Sequence, residues 1–95
     1  MESRKSIRQW AIEDRPREKL IRLGVEQLSA SELLGILLQT GNRQKSAVEL
    51  GMQLLEMAKQ NLQELGRLNP REIAAISGIG PAKAALICAA LELGR

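Results

Sequence analysis

Ninety-five residues, 44% hydrophobic and 26% charged, make one soluble globular domain. The only aromatic residue is Trp10, so the core is aliphatic, and Leu, Ile and Ala packing favours helices. There is no histidine and one cysteine, Cys88, which excludes a zinc site, an intrachain disulfide and His-dependent acid–base or nucleophile chemistry.

The net charge of +3 sits at the N-terminus. Residues 1–22 hold seven Lys/Arg against four acids, and residues 23–95 hold seven of each sign. Residues 1–15 read as a basic arm, serving either phosphate binding or plain solubility, ahead of a helical domain over 16–95. Trp10 is expected to anchor that arm to the core; stacking on a base is the alternative. No apolar signal core follows Arg4, Lys5 and Arg8, and no apolar run approaches the roughly 20 residues of a membrane span. A cytoplasmic chain with no membrane partner is the expectation.

In chain order, helices are predicted near 16–23, 30–39, 46–59, 62–66, 70–76 and 81–93, with no strand, because no segment alternates with period two. Pro16 and Pro70 suit first helical positions. Four segments open with a polar cap followed three residues later by Glu: Ser29…Glu32, Ser46…Glu49, Asn61…Glu64 and Asn69…Glu72. Gly24, Gly41, Gly66, Gly78 and Gly94 each follow an apolar stretch and are expected at helix C-caps with positive φ. In the 46–59 segment Ala47, Leu50, Leu54 and Ala58 share one face, and Gly51 beside them predicts close approach of a neighbouring helix. The small residues Ala82, Ala84, Ala85, Cys88, Ala89 and Ala90 predict tight contact along the last helix, with Cys88 a small buried core residue.

These elements form an all-α compact bundle of five or six short helices containing two hairpins. Residues 30–59 make a loose hairpin around the loop Thr40–Lys45; residues 70–93 make a compact one around Ser77–Gly80.

The second turn carries the chemistry. In Ile76-Ser77-Gly78-Ile79-Gly80-Pro81-Ala82-Lys83, two glycines flank one aliphatic residue directly before a helix. Ile79 plugs the core, and the helix start presents free amides at the positive end of its dipole. A phosphodiester oxygen suits such a seat, with the amides of Gly80, Ala82 and Lys83 as donors and the Lys83 ammonium as a point charge. A tight helical corner, with glycines chosen only for geometry, is the competing reading. Arg43 and Lys45 in the first loop are secondary contacts or solvated charges.

The run Ile76, Gly78, Ile79, Gly80, Ala84 or Ala85, Ile87, Leu91 resembles the helix-hairpin-helix DNA-binding motif. The 30–59 hairpin then resembles a degenerate partner. Asp14 through Leu20, Leu28 through Leu34, Thr40-Gly41…Lys45-Ser46 and Ile76 through Arg95 together resemble the N-terminal domain of RadC-like proteins. That resemblance implies a non-sequence-specific grip on the DNA backbone by Gly78, Ile79, Gly80, Ala82 and Lys83, with Gly41, Arg43 and Lys45 assisting. It also implies a link to DNA repair and a C-terminal JAB/MPN metal-binding domain as partner, while the helix-hairpin-helix resemblance implies a monovalent cation on the carbonyls of Ala74, Ile76 and Ile79. The chain is expected to be the front part of such a protein, without enzymatic activity or a cofactor of its own. A protein-interaction or scaffold domain is the rival function.

Thr40 through Ser46 lacks the glycine that a P-loop needs before its lysine: Gln44 stands there, after a predicted helix. Glycosylase chemistry is improbable, since no acid follows Glu92. Glu49, Glu56 and Glu64 have solvent-face spacings and form no carboxylate pair.

Overall fold

The computed structural model describes residues 16–95. The basic arm of residues 1–15 and Trp10 lie outside them.

Helices are the only regular elements among the described residues, as expected. Helices α1 (Pro16–Leu23), α2 (Ala30–Leu38), α3 (Ala47–Met57), α4 (Leu62–Arg67), α5 (Pro70–Ala74) and α6 (Gly80–Leu93) follow in order, with one 3-10 turn at Val25–Gln27. The caps decide where they start. Ser29, Ser46 and Asn69 each accept a backbone amide while Glu32, Glu49 and Glu72 reach back to the cap amide. These reciprocal bonds satisfy amides that the first helical turn leaves free. At Asn61 only half of this arrangement forms. Its side chain accepts from Gln63 and Glu64, while the Glu64 carboxylate turns to Arg67 at 3.0 Å.

Glycine C-capping was expected too widely. Gly24 and Gly78 do take positive φ, +95° and +96°. Gly66 lies inside α4 and Gly94 has φ −84°. Two helices end instead on non-glycine residues in the left-handed region, Gln39 after α2 and Lys59–Gln60 after α3. Gly41 serves a different purpose: a Cβ there would lie 2.0 Å from the Lys45 carbonyl oxygen, so only glycine lets the 40–46 loop fold back on itself.

The core is aliphatic. Leu34, Leu38, Leu50, Leu54, Leu65, Ile73 and Ile87 are buried, and Ile79 plugs into the same cluster from the second turn. Leu50, Leu54 and Ala58 line the predicted face of α3. Helices α2 and α3 pack through two glycines. A Cβ at Gly51 would sit 2.7 Å from the Ser31 carbonyl oxygen, and one at Gly35 would sit 3.1 Å from Val48 Cγ2. Gly51 therefore does what its position in a helix interior suggests. The last helix is less tightly held than its small residues imply. Ala84 is buried, whereas Ala82, Ala85 and Ala89 are exposed and Cys88 is half-buried against the core.

Lys19 in α1 reaches Glu32 at the start of α2, 3.0 Å apart. The Ser29 amide, and then Lys19, hold the Glu32 carboxyl below its ordinary value. This pair pins α1, which buries no residue of its own, to the hairpin.

Candidate nucleic-acid interface

The second turn is built by short-range bonds. The Ile76 amide donates to the Ile73 carbonyl at 3.1 Å and the Ile79 amide to the Ile76 carbonyl at 3.0 Å. Gly78 and Gly80 take φ +96° and +72°, and Ile79 between them is 5% exposed. The chain thus reverses around a buried aliphatic plug and enters α6 directly.

The start of α6 differs from the other capped helices. Helices α2 to α5 each have a side chain accepting a first-turn amide. At α6 the N-cap is Ile79, which has no polar side chain, and no acid stands in the first turn. Among the described residues, the amides of Gly78, Gly80 and Ala82 donate to no protein acceptor. They carry the partial positive charge of the helix start. The space is open as well: a Cβ at Gly80 would meet nothing within 4 Å. Gly78 faces inward, where a Cβ would lie 2.9 Å from Asn42 Nδ2 and 3.1 Å from Leu50 Cδ1. The two glycines therefore have separate purposes, Gly78 for packing and Gly80 for an unobstructed approach.

The first loop lies against the second turn. Asn42 organises it: its Oδ1 accepts the Gln44 and Lys45 amides at 2.9 and 2.8 Å, and its own amide donates to the Lys45 carbonyl at 2.8 Å. Its Nδ2 then donates across to the Ser77 carbonyl and hydroxyl at 3.2 and 3.3 Å. From the other side, Lys83 Nζ donates to the Thr40 carbonyl at 3.1 Å, the Thr40 hydroxyl at 3.0 Å and the Gly78 carbonyl at 3.4 Å. The hairpin that reads as loose in the sequence thus has its loop fastened at both edges.

Two groups of predicted site residues are brought together here: Gly78, Gly80, Ala82 and Lys83 on the turn, and Gly41, Arg43 and Lys45 on the loop. Arg43 is exposed, and no acid pairs with it among the described residues. Lys45 is exposed and bonds to Gln53 at 2.8 Å. Lys83 is half-buried, with its ammonium directed at oxygens of its own chain. Nothing in the sequence singles out Thr40 or Ser77, although Asn42, next to Gly41 in the loop after α2, is an ordinary Asx-turn signal. Of the carbonyls considered for a monovalent cation, that of Ile76 accepts the Ile79 amide. No cluster of three or more Cys, Asp or Glu side chains suited to a metal occurs among the described residues. Glu49, Glu56 and Glu64 are exposed, as their spacing predicts. No helix among the described residues is long and apolar enough to cross a membrane.

Comparison with known proteins gives consistent matches. The family model described as UPF0758 N-terminal matches residues 7–85. A UPF0758 protein of Flavobacterium johnsoniae is 47% identical over 90 residues, covering 95% of this chain and 39% of that protein. One from Trichlorobacter lovleyi is 45% identical over 95 residues, covering 98% of this chain and 41% of that protein. A third, from Pelobacter propionicus, is 45% identical over 89 residues, covering 92% and 39%. The chain spans about two fifths of the length of these relatives. No solved structure matches it.

Proposed function

The chain belongs to the UPF0758 family, the RadC-like proteins, as their N-terminal region, and from that premise we propose that it is a non-sequence-specific DNA-binding module. The observation that supports the reading is the uncapped start of α6: free amides at Gly78, Gly80 and Ala82, open space at Gly80, and the Arg43 and Lys45 loop fastened alongside. One phosphate oxygen accepts from the Gly80 and Ala82 amides; Arg43 and Lys45 meet a neighbouring phosphate. Lys83 adds its charge from beneath while holding the turn and loop together. Such contacts fix position without reading bases.

We assign no catalytic step to the domain. DNA repair as the setting, and a metal-binding C-terminal domain as the partner within the longer proteins, are parts of the same proposal and rest on the RadC-like kinship.

Fluorescence anisotropy with a labelled duplex at low salt tests the reading. Two to four neutralised phosphates give a log–log salt slope of about −2 to −4. Arg43→Ala weakens binding equally across sequences and makes the slope shallower by about 1. Equal affinity for the wild type, Arg43→Ala and Gly80→Ala removes the proposal. One observation favours a protein-interaction reading instead: Ile21, Leu23 and Val25 form an apolar stretch exposed by half or more. Absence of binding to any nucleic acid would shift the weight there.

A further inference from the structure

We infer that the cleft between α4 and the C-terminal half of α6 is a docking seat for the polypeptide that follows α6 in the longer members of the family. The inference rests on family membership and is independent of DNA binding.

The cleft is open to solvent and has a volume of about 630 Å³. Leu62, Cys88 and Leu91 give it apolar lining, and Gln63, Arg67 and Glu92 line it as well. Gly66 points to an occupant. Gly35 and Gly51 lie within helices because a neighbouring helix comes too close for a Cβ. Gly66 lies within α4, is exposed, and has no such neighbour: a Cβ there would meet only Leu91 Cβ, at an ordinary 3.9 Å. Its φ is not positive. Glycine is less favourable than alanine in a helix, and among the described residues neither packing nor backbone geometry requires it. Its absent side chain leaves the α4 backbone open on the cleft side, where another stretch of backbone or a small apolar side chain fits.

The occupant follows from where α6 ends. Gly94 and Arg95 border the cleft, so a chain continuing from α6 starts at its mouth. The match here is to the N-terminal region of the family and spans 39–41% of the relatives, so most of each relative lies beyond it. Leu93, 88% exposed at the same end of α6, is a second apolar group for that continuation to cover. A tethered segment also has the advantage of high effective concentration, in the millimolar range for a short flexible linker. A segment carrying both apolar and polar side chains is the expected occupant, matching that lining.

Cys88, the single cysteine, reports on the cleft from within. Iodoacetamide labelling of Cys88, read by peptide mass spectrometry, compares the 95-residue chain with the same chain extended by the remainder of the Trichlorobacter lovleyi relative. Docking slows labelling by about tenfold or more in the extended chain, as expected for a closed state dominated by a tethered contact. Gly66→Gln, which places a side chain in the cleft and favours the helix in both lengths alike, removes the difference between the two lengths. Amide exchange over 62–67 and 88–93 gives a second readout of the same protection. Equal labelling and equal exchange in both lengths overturn the inference. Protection that appears in the 95-residue chain alone and grows with concentration overturns it too, since the cleft then belongs to a second copy.

Discussion

Lys83 and Thr40, 43 residues apart, are joined twice: the lysine ammonium donates to both the carbonyl and the hydroxyl of the threonine, at 3.1 and 3.0 Å. The Thr40 carbonyl lies just past the end of α2, where backbone acceptors are left without partners, and a cation there also suits the negative end of the helix dipole. A lysine in the first turn of α6 opposes that helix's own dipole. Its third bond, to the Gly78 carbonyl at 3.4 Å, and the fit to α2 together account for its place.

Lys83→Met should therefore lower stability by about 1.5–2 kcal/mol, the low end for hydrogen bonds to a charged group, since these bonds are exposed. Thr40→Val, which keeps the carbonyl and loses the hydroxyl, should cost roughly half as much. The double variant should be no worse than Lys83→Met within about 0.5 kcal/mol, because the two side chains share one interaction. Urea unfolding of the four proteins checks this; full additivity would mean that the two residues act separately.

Gly51 and Gly80 should respond to alanine for different physical reasons. At Gly51 the new Cβ would press on the Ser31 carbonyl at 2.7 Å, and backbone cannot give way as a flexible side chain does. Forcing α2 from α3 should cost about 2 kcal/mol. At Gly80 the new Cβ meets open space, so only the left-handed torsion opposes it, at roughly 1 kcal/mol. Thermal melts measure both, at about 4–8 °C per kcal/mol for a domain of this size. Gly80→Ala should also weaken DNA binding by more than its stability loss explains, since the Cβ occupies the approach to the free amides. Gly51→Ala, still folded, should bind DNA like the wild type.

The helices could be read from the sequence because their ends are written locally. Ser29, Ser46 and Asn69 each meet their Glu partner within three residues, so the cap forms whatever the tertiary context. Glycine carried less information. Gly24, Gly41 and Gly66 look alike after apolar runs, yet one takes positive φ, one admits a close backbone and one lies inside a helix. The Gly-Ile-Gly turn was equally local and appears where expected. Its attachment to the first loop was hidden, because Asn42 and Ser77 are polar residues 35 positions apart with no periodic pattern to link them. Lys83 shows the same limit: its residue type suggested a phosphate, and only the fold brings Thr40 within its reach.

The Glu32 carboxyl gives a pH dependence of fixed sign. The Ser29 amide and Lys19 lower its folded pKa below the ordinary value of 4.5. A depressed carboxyl contributes stability above its unfolded pKa and loses it as pH falls through the folded one. Glu32→Gln should therefore be less stable than the wild type at pH 7, with the gap closing as the pH drops below about 4. Thermal melts from pH 7 to pH 3 follow it. Added salt should narrow the Lys19 part at pH 7 and leave the Ser29 hydrogen bond largely intact, since screening acts on exposed charge pairs. A gap that persists unchanged at pH 3 would assign the effect to packing.

Asn42 holds two contacts that one substitution can separate. Its Oδ1 folds the loop by accepting from Gln44 and Lys45, and its Nδ2 fastens the loop to Ser77. Asn42→Asp keeps the acceptor and strengthens it with charge, but removes the donor and sets a carboxylate against the Ser77 carbonyl. Asn42→Ala removes both. Amide exchange at Gln44 and Lys45 should stay slow in the aspartate variant and become fast in the alanine variant. Both should be destabilised by about 1–2 kcal/mol through loss of the bond to Ser77. DNA affinity separates them in the reverse order. The aspartate places a negative charge beside Gly78, where repulsion of a docking phosphate adds to the lost alignment, so it should bind more weakly than the alanine variant, and its deficit should shrink in higher salt. If the aspartate variant binds as well as the wild type, the loop and the turn do not meet the same strand, and the attachment at Ser77 serves folding alone.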